Sequence, residues 1–282
     1  RPYGMADLRM GELLYPADHP YHWPTIGYMA DLDAAGYDDV VGFYKNYYTP
    51  NNASLVIAGD IDPREVRKQV EQWFSDVPAG PKTERIQAPP VSLTEVKKET
   101  LHDDVGLPRL YLGWLTPAQL QPGDAEMDVL GDVLAGGKNS RLYRRLVYEM
   151  QAAQEVSAYQ DSGALSSVFN VVVEPRPGHT VEEMQAVVDE EIEKLKAEPP
   201  TERELQRSIH GLEAAFLSSL EDLESKADNL NAYYRATGSP DFFAKDLARY
   251  QALRPADIQA AAKRYLPKDA RVELMVLPQE EK

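Results

Sequence analysis

One helix–turn–strand pattern occurs twice in this chain, and only one copy has enough strands around it to build a sheet. The first copy, residues 39–60, reads DVVGFYKNYYTPNNASLVIAGD, and the second, from Asp257, reads DIQAAAKRYLPKDARVELMV. Asp39, Lys45 and Tyr47 recur as Asp257, Lys263 and Tyr265; after a one-residue slip, Pro50 and Ala53 recur as Pro267 and Ala270. In each copy a helix ends at a proline turn and an apolar strand follows, at residues 55–57 or 272–276. Agreement in residues, order and element type predicts a duplicated domain.

The two copies lie on either side of a break. Residues 78–90 hold four prolines and a glycine, a composition that marks a boundary. Ahead of it the pattern predicts a short helix over 5–14, a helix over 37–48 and one strand over 54–58. A further helix is capped by Asp62, with Pro63 at its first position and Val66, Val70, Trp73 and Phe74 on one face. Beyond the break, 93–101 and 107–115 read as two strands joined through Asp103-Asp104-Val105-Gly106 as a hairpin. Asp124 is expected to cap a helix bearing Met127, Leu130, Val133 and Leu134. Gly136-Gly137 ends it, and Ser140 opens another with Leu142, Leu146 and Met150 inward. Strands follow at 154–161 and 165–174, the second valine-rich and suited to a buried place. Thr180 with Glu183 and Thr201 with Glu204 are capping boxes. The second opens one long amphipathic helix, with Leu205, Ile209, Leu212, Phe216, Leu220 and Leu223 on one face, ending near Gly238.

Four or five strands after the break make a sheet; one strand before it does not, because a lone strand leaves its own backbone groups unpaired. The expected fold is α+β. A partial first domain (1–78, helices plus one strand) and a linker (79–91) precede a complete second domain (92–282) of mainly antiparallel sheet packed with helices. The lone strand is expected to find partners in an absent segment, in the second domain or in another chain.

The net charge of −16 argues against nucleic acid and anionic membranes. With no cysteine, disulfides, thiol catalysis and cysteine metal sites are excluded. No apolar run is long enough to span a membrane. No G-x-S-x-G elbow or G-x-G-x-x-G loop occurs, so serine-hydrolase and dinucleotide readings lack support.

The candidate sites are few. His19 and His22 have H-x-x-H spacing, but Pro20 and Pro24 oppose a helix there and no third ligand is evident, so a turn packed by Tyr21 and Trp23 is the expectation. Gly136-Gly137-Lys138-Asn139-Ser140 lacks the spacing of a phosphate loop. Arg141, Arg144 and Arg145 form a basic cluster, expected to pair with acidic helices, with a substrate carboxylate as the alternative. Asp60 and Asp62 are expected in a turn and a cap, and Glu190, Glu191 and Glu193 on a solvated helix face.

HPY at residues 19–21, Gly27, FYKNYYTPNNASLVIAGDIDP at 43–63 and GGKNSRLYRRLVYE at 136–149 resemble the insulinase-type (pitrilysin) zinc metallopeptidase family. The resemblance covers nearly the whole chain. It implies two similar α+β domains per half-molecule and peptide hydrolysis in a chamber closed by two halves. The family's zinc motif, H-x-x-E-H on a helix, is absent from this chain, so neither catalytic nor metal-binding residues are assigned. The resemblance places the chain behind that motif, as the C-terminal portion of a zinc endopeptidase half, inactive alone, with zinc held by the parent protein outside these residues. The alternative is a non-catalytic structural or docking subunit. Partners would be a peptide or protein substrate and a second half-molecule or a second copy of the chain, and the compartment leans towards the periplasm or export. The glycine-rich turn would face the chamber, making Gly136, Gly137, Asn139 and Arg141 substrate-proximal. Partner halves of the family carry an arginine and a tyrosine seven positions apart; Val147 and Gln154 fall there, so the chain resembles the half that owns the zinc motif.

Overall fold

The computed structural model describes residues 2–279. The described residues divide into two compact units: residues 2–24, 88–211 and 246–279 form one, and residues 25–87 and 212–245 form the other.

The first unit is built on a five-stranded sheet of β1 (Lys97–Asp103), β2 (Arg109–Thr116), β3 (Ala153–Asp161), β4 (Ser167–Pro175) and β5 (Val272–Pro278), in the order β1-β5-β2-β4-β3. Only the β1–β5 pair is parallel. The expected β1–β2 hairpin is therefore corrected. The strand of the second helix–turn–strand copy inserts between them, and the 104–108 connection spans two strand spacings, about 10 Å.

Strict alternation along β2 and β4 sends Leu110, Leu112, Trp114, Phe169, Val171 and Val173 into the core. The helices α5 (Asp124–Ala135), α6 (Val181–Ala197) and α10 (Pro255–Tyr265) cover that face. Trp114 donates its indole N–H to the Pro267 carbonyl at 2.9 Å, which ties the proline turn after α10 to the sheet. Asp124 is the first residue of α5, with Gly123 as the cap; its carboxylate accepts from the Leu120 N–H and the Ser162 hydroxyl at 2.8 and 2.7 Å. On the same face Arg271 is buried between Asp189 and Glu273.

The opposite face is half covered. Helix α1 (Gly4–Leu14) lays Ala6, Met10 and Leu14 over Val272, Leu274 and Val276 of β5. Gly113 permits this approach, because a Cβ there would come within 2.4 Å of the Met10 methyl. Arg9 of α1 reaches Glu99 of β1 at 2.7 Å. Among the described residues α1 is the helix packed on this face, and the other half, over β3, β4 and the start of β2, lines a groove.

The second unit holds α2 (Met29–Ala34), α3 (Tyr37–Tyr47), α4 (Pro63–Phe74) and α8 (Leu223–Thr237). The Asp62 cap is present, accepting from the Arg64 N–H at 2.8 Å. The expected strand over 54–58 is absent: the segment has no ladder partner and no regular structure. Among the described residues of this unit none is buried, and Ile26, Tyr37, Leu55, Trp73 and Ile86 are each more than half exposed. The expected single helix ending at Gly238 is two: α7 (Glu202–Ser219) stops, and Asp222 caps α8 by accepting from the Ser225 N–H at 2.7 Å. Helix α9 (Phe243–Gln251) follows α8 and precedes α10.

Candidate functional site

The glycine-rich turn lies between α5 and a π-helix at Tyr143–Glu149. Gly136 caps α5, and Gly137 takes φ +91°, a backbone shape that side-chain-bearing residues rarely adopt. Ser140 folds the turn back, its hydroxyl donating to the Gly137 carbonyl at 2.6 Å. Gly136, Gly137, Lys138 and Asn139 are exposed, and Ser140 is buried. Wider i→i+5 bonding is rare and concentrates at functional sites; here the Met150 N–H reaches the Arg145 carbonyl at 2.9 Å. Leu142 and Leu146 point inward as expected, whereas Met150 is 37% exposed.

The arginine cluster is consumed by ion pairs. Arg141 makes a two-pronged pair with Glu204 of α7, at 2.7 and 3.0 Å. Burial disfavours the Glu204 charge, but hydrogen bonds from Arg141 and Thr201 outweigh it and hold the carboxyl at about 2. Arg144 meets Glu149 at 2.9 Å, and Arg145 bridges Glu190 and Glu191 of α6. Glu191 is only 7% exposed, so the expected solvated face of Glu190, Glu191 and Glu193 is interrupted at its middle member.

The histidines are structural. His19 is buried, stacked on Tyr15 at 4.5 Å, and its Nδ1 accepts from the Tyr21 N–H at 3.1 Å. His22 Nδ1 lies 2.9 Å from the Tyr15 carbonyl, and Tyr21 anchors the segment by accepting from the Leu165 N–H at 3.1 Å. Trp23, expected to pack here, is 45% exposed. Among the described residues no three His, Cys, Asp or Glu side chains converge to hold a metal ion. This chain's donors thus do not fit the zinc site of the family it resembles.

A cavity lies elsewhere, on the half of the sheet that α1 leaves open. A groove of about 390 Å³ is lined by residues of α1 and its lead-in (Pro2, Tyr3, Asp7), of β2 (Arg109, Tyr111), of β3 (Glu155, Ser157, Tyr159) and of β4 (Val172, Glu174). The register explains the grouping. Tyr111 and Ser157 both flank Val172, and Glu155 pairs with Glu174. Arg109 donates to Glu174 at 2.5 Å and stacks on the Tyr3 ring at 3.7 Å. Tyr3 takes φ +59° and is fixed there by its N–H on Asp103 and its hydroxyl on the Leu107 carbonyl, at 2.9 and 2.8 Å. Burial, and then nearby carboxylates, push the Tyr159 phenol up; burial also raises Tyr111 against the pull of Arg109. Sequence reasoning overlooked this site. Its signal was the polar and aromatic outward positions of β2 and β3, where a fully covered sheet would be apolar.

Comparisons with known proteins agree with this fold. The family profile described as "Peptidase M16 inactive domain" matches residues 34–212. The zinc protease PqqE of Helicobacter pylori is 28% identical over 226 residues, covering 78% of this chain and 50% of that protein. The chain therefore spans about half the length of this curated relative. The crystal structure of a protease from Helicobacter pylori superposes with a TM-score of 0.86 at 26% identity, over 98% of this chain and 67% of that one. A peptidase M16 inactive domain from Pseudomonas fluorescens superposes with a TM-score of 0.84 at 19% identity, over 100% of this chain and 67% of that one, which bears on the fold alone. Among the described residues no helix is long and apolar enough to cross a membrane. With more than half of its length matched by that profile, this chain belongs to the peptidase M16 family and carries its inactive domain.

Proposed function

We propose that the chain is the non-metal portion of a zinc-dependent endopeptidase half, and that it frames a peptide-cleaving chamber whose zinc is held by another segment. One contrast carries this reading. In the second helix–turn–strand copy Val272, Leu274 and Val276 are buried on an interior strand, paired on both sides. In the first copy Leu55 and Ile57 are 58% and 45% exposed with no strand beside them. A unit with so much uncovered apolar surface and no buried residue needs a sheet from elsewhere. On this reading residues 1–78 and 92–282 derive from two homologous domains joined by 79–91.

The turn at Gly136, Gly137 and Asn139 faces the chamber, and Arg141 positions it through Glu204. Support comes from the turn's exposure and from the π-helix behind it. The relatives' designation as zinc proteases supports zinc in the parent protein, and it suggests a peptide or protein substrate and a second half-molecule as partners.

A structural or docking subunit is the second reading, and the match to a domain described as inactive favours it. Peptidase assays separate the two. The chain alone, supplied with zinc, leaves a quenched fluorogenic peptide intact. Joined to an H-x-x-E-H segment in one polypeptide, it cleaves the peptide, and chelator abolishes the cleavage. Cleavage by the chain alone contradicts both readings; a joined protein that binds zinc without cleaving selects the structural one.

A further inference from the structure

We propose that the groove on the open half of the sheet is a binding site for a lysine side chain presented by a peptide. This goes beyond the proposed place in a peptidase, since the groove is built within the first unit alone. Its wall carries the carboxylates of Asp7, Glu155 and Glu174, against one guanidinium, Arg109. Arg109 is already paired with Glu174. Among the described residues neither Asp7 nor Glu155 has a cationic partner, so within the described lining the carboxylates outnumber the cations three to one. Tyr111 and Tyr159 line the same groove, and their phenols, uncharged at neutral pH, are pushed further up by burial. Aromatic faces next to carboxylates suit an organic cation.

The rest of the lining fixes the length and polarity of the ligand. Val172 and the flanking rings give apolar cover for a methylene stem, as long cationic side chains require. The Ser157 hydroxyl lies beside Val172 in the register and can accept from an ammonium. A bare metal ion would use none of the aromatic surface. Tyr3 closes one end of the groove in a left-handed backbone conformation held by three contacts, two hydrogen bonds and the Arg109 stack. Such over-determined strain concentrates at ligand sites.

Fluorescence anisotropy with the full chain tests the assignment. The probe is a dye-labelled peptide with one lysine among alanines, compared with a norleucine counterpart of equal length. The lysine peptide is expected to bind about tenfold more tightly. The Asp7→Asn/Glu155→Gln double variant, isosteric at two exposed positions, is expected to lose about tenfold for the lysine peptide and nothing for norleucine. Tyr159→Ala should weaken the lysine peptide by about threefold. Equal affinity for the two peptides, unchanged affinity in the double variant, or no binding of the lysine peptide overturns the proposal. Spermidine binding without peptide binding overturns it too, because the ligand would then be a free amine. None of these readouts depends on peptidase activity.

Discussion

Arg141 and Glu204 join the glycine-rich turn to the start of α7 through two hydrogen bonds of 2.7 and 3.0 Å. The same carboxylate accepts from the Thr201 N–H at 2.8 Å, so one side chain serves as ion-pair partner and helix cap. Glu204→Ala removes both roles and leaves the Arg141 guanidinium without its partner. A loss of about 2 kcal/mol is expected from urea denaturation at pH 7. Glu204→Gln should lose less, since it keeps an acceptor at the cap.

The pH dependence of the same carboxyl has a definite sign. Its folded value of about 2 lies below the ordinary value of 4.5. The stabilisation is therefore present above 4.5 and is lost as pH falls from 4.5 towards 2. Chemical denaturation across that window should show a steeper acid loss in the parent than in Glu204→Gln.

Asp128 behaves in the opposite sense. Burial raises its carboxyl from 3.8 to about 6, with Asp124 adding to the shift and the hydrogen bond from Tyr250 opposing it. A group with a raised folded value favours the fold most when protonated, so this contribution is greatest below 3.8 and is lost as pH rises through about 6. Asp128→Asn keeps an acceptor for the Tyr250 hydroxyl, which lies 2.7 Å away. The variant should match or exceed the parent in thermal midpoint at pH 7.5, and the advantage should vanish at pH 4. A large loss at pH 7.5 would contradict this account of Asp128.

The two repeat copies should respond differently to the same cavity-forming change. Leu274 is fully buried between α1 and the sheet, and Leu274→Ala is expected to cost about 3 kcal/mol. Leu55 is 58% exposed, and Leu55→Ala should fall within about 0.5 kcal/mol. Urea midpoints of the two variants check the pair directly.

Much of this was legible in the sequence. Local chemistry placed the caps at Asp62, Thr180 and Thr201 and the break at Gly136-Gly137, because each depends on residues a few positions apart. Long-range pairing was not legible. Turn residues between β1 and β2 signalled a hairpin, and nothing nearby records that β5 returns from the end of the chain to separate them. The expected strand at 54–58 failed for the reason that made it suspicious: an apolar run becomes a strand only beside another. The stop after Ser219 was readable from Asp222 and Ser225, but the continuous apolar face over 205–223 masked it. The groove went unnoticed because its members come from α1, β2, β3 and β4, and only the sheet register brings them together.

The most direct measurement is amide hydrogen exchange at residues 53–58, compared with residues 272–277. In the chain alone, the first segment should exchange at nearly unprotected rates while the second is protected. Joined to a segment bearing H-x-x-E-H, residues 53–58 should become protected as they enter a sheet. Strong protection of 53–58 in the chain alone, or none after joining, would contradict the claim that this unit is completed by a sheet from elsewhere.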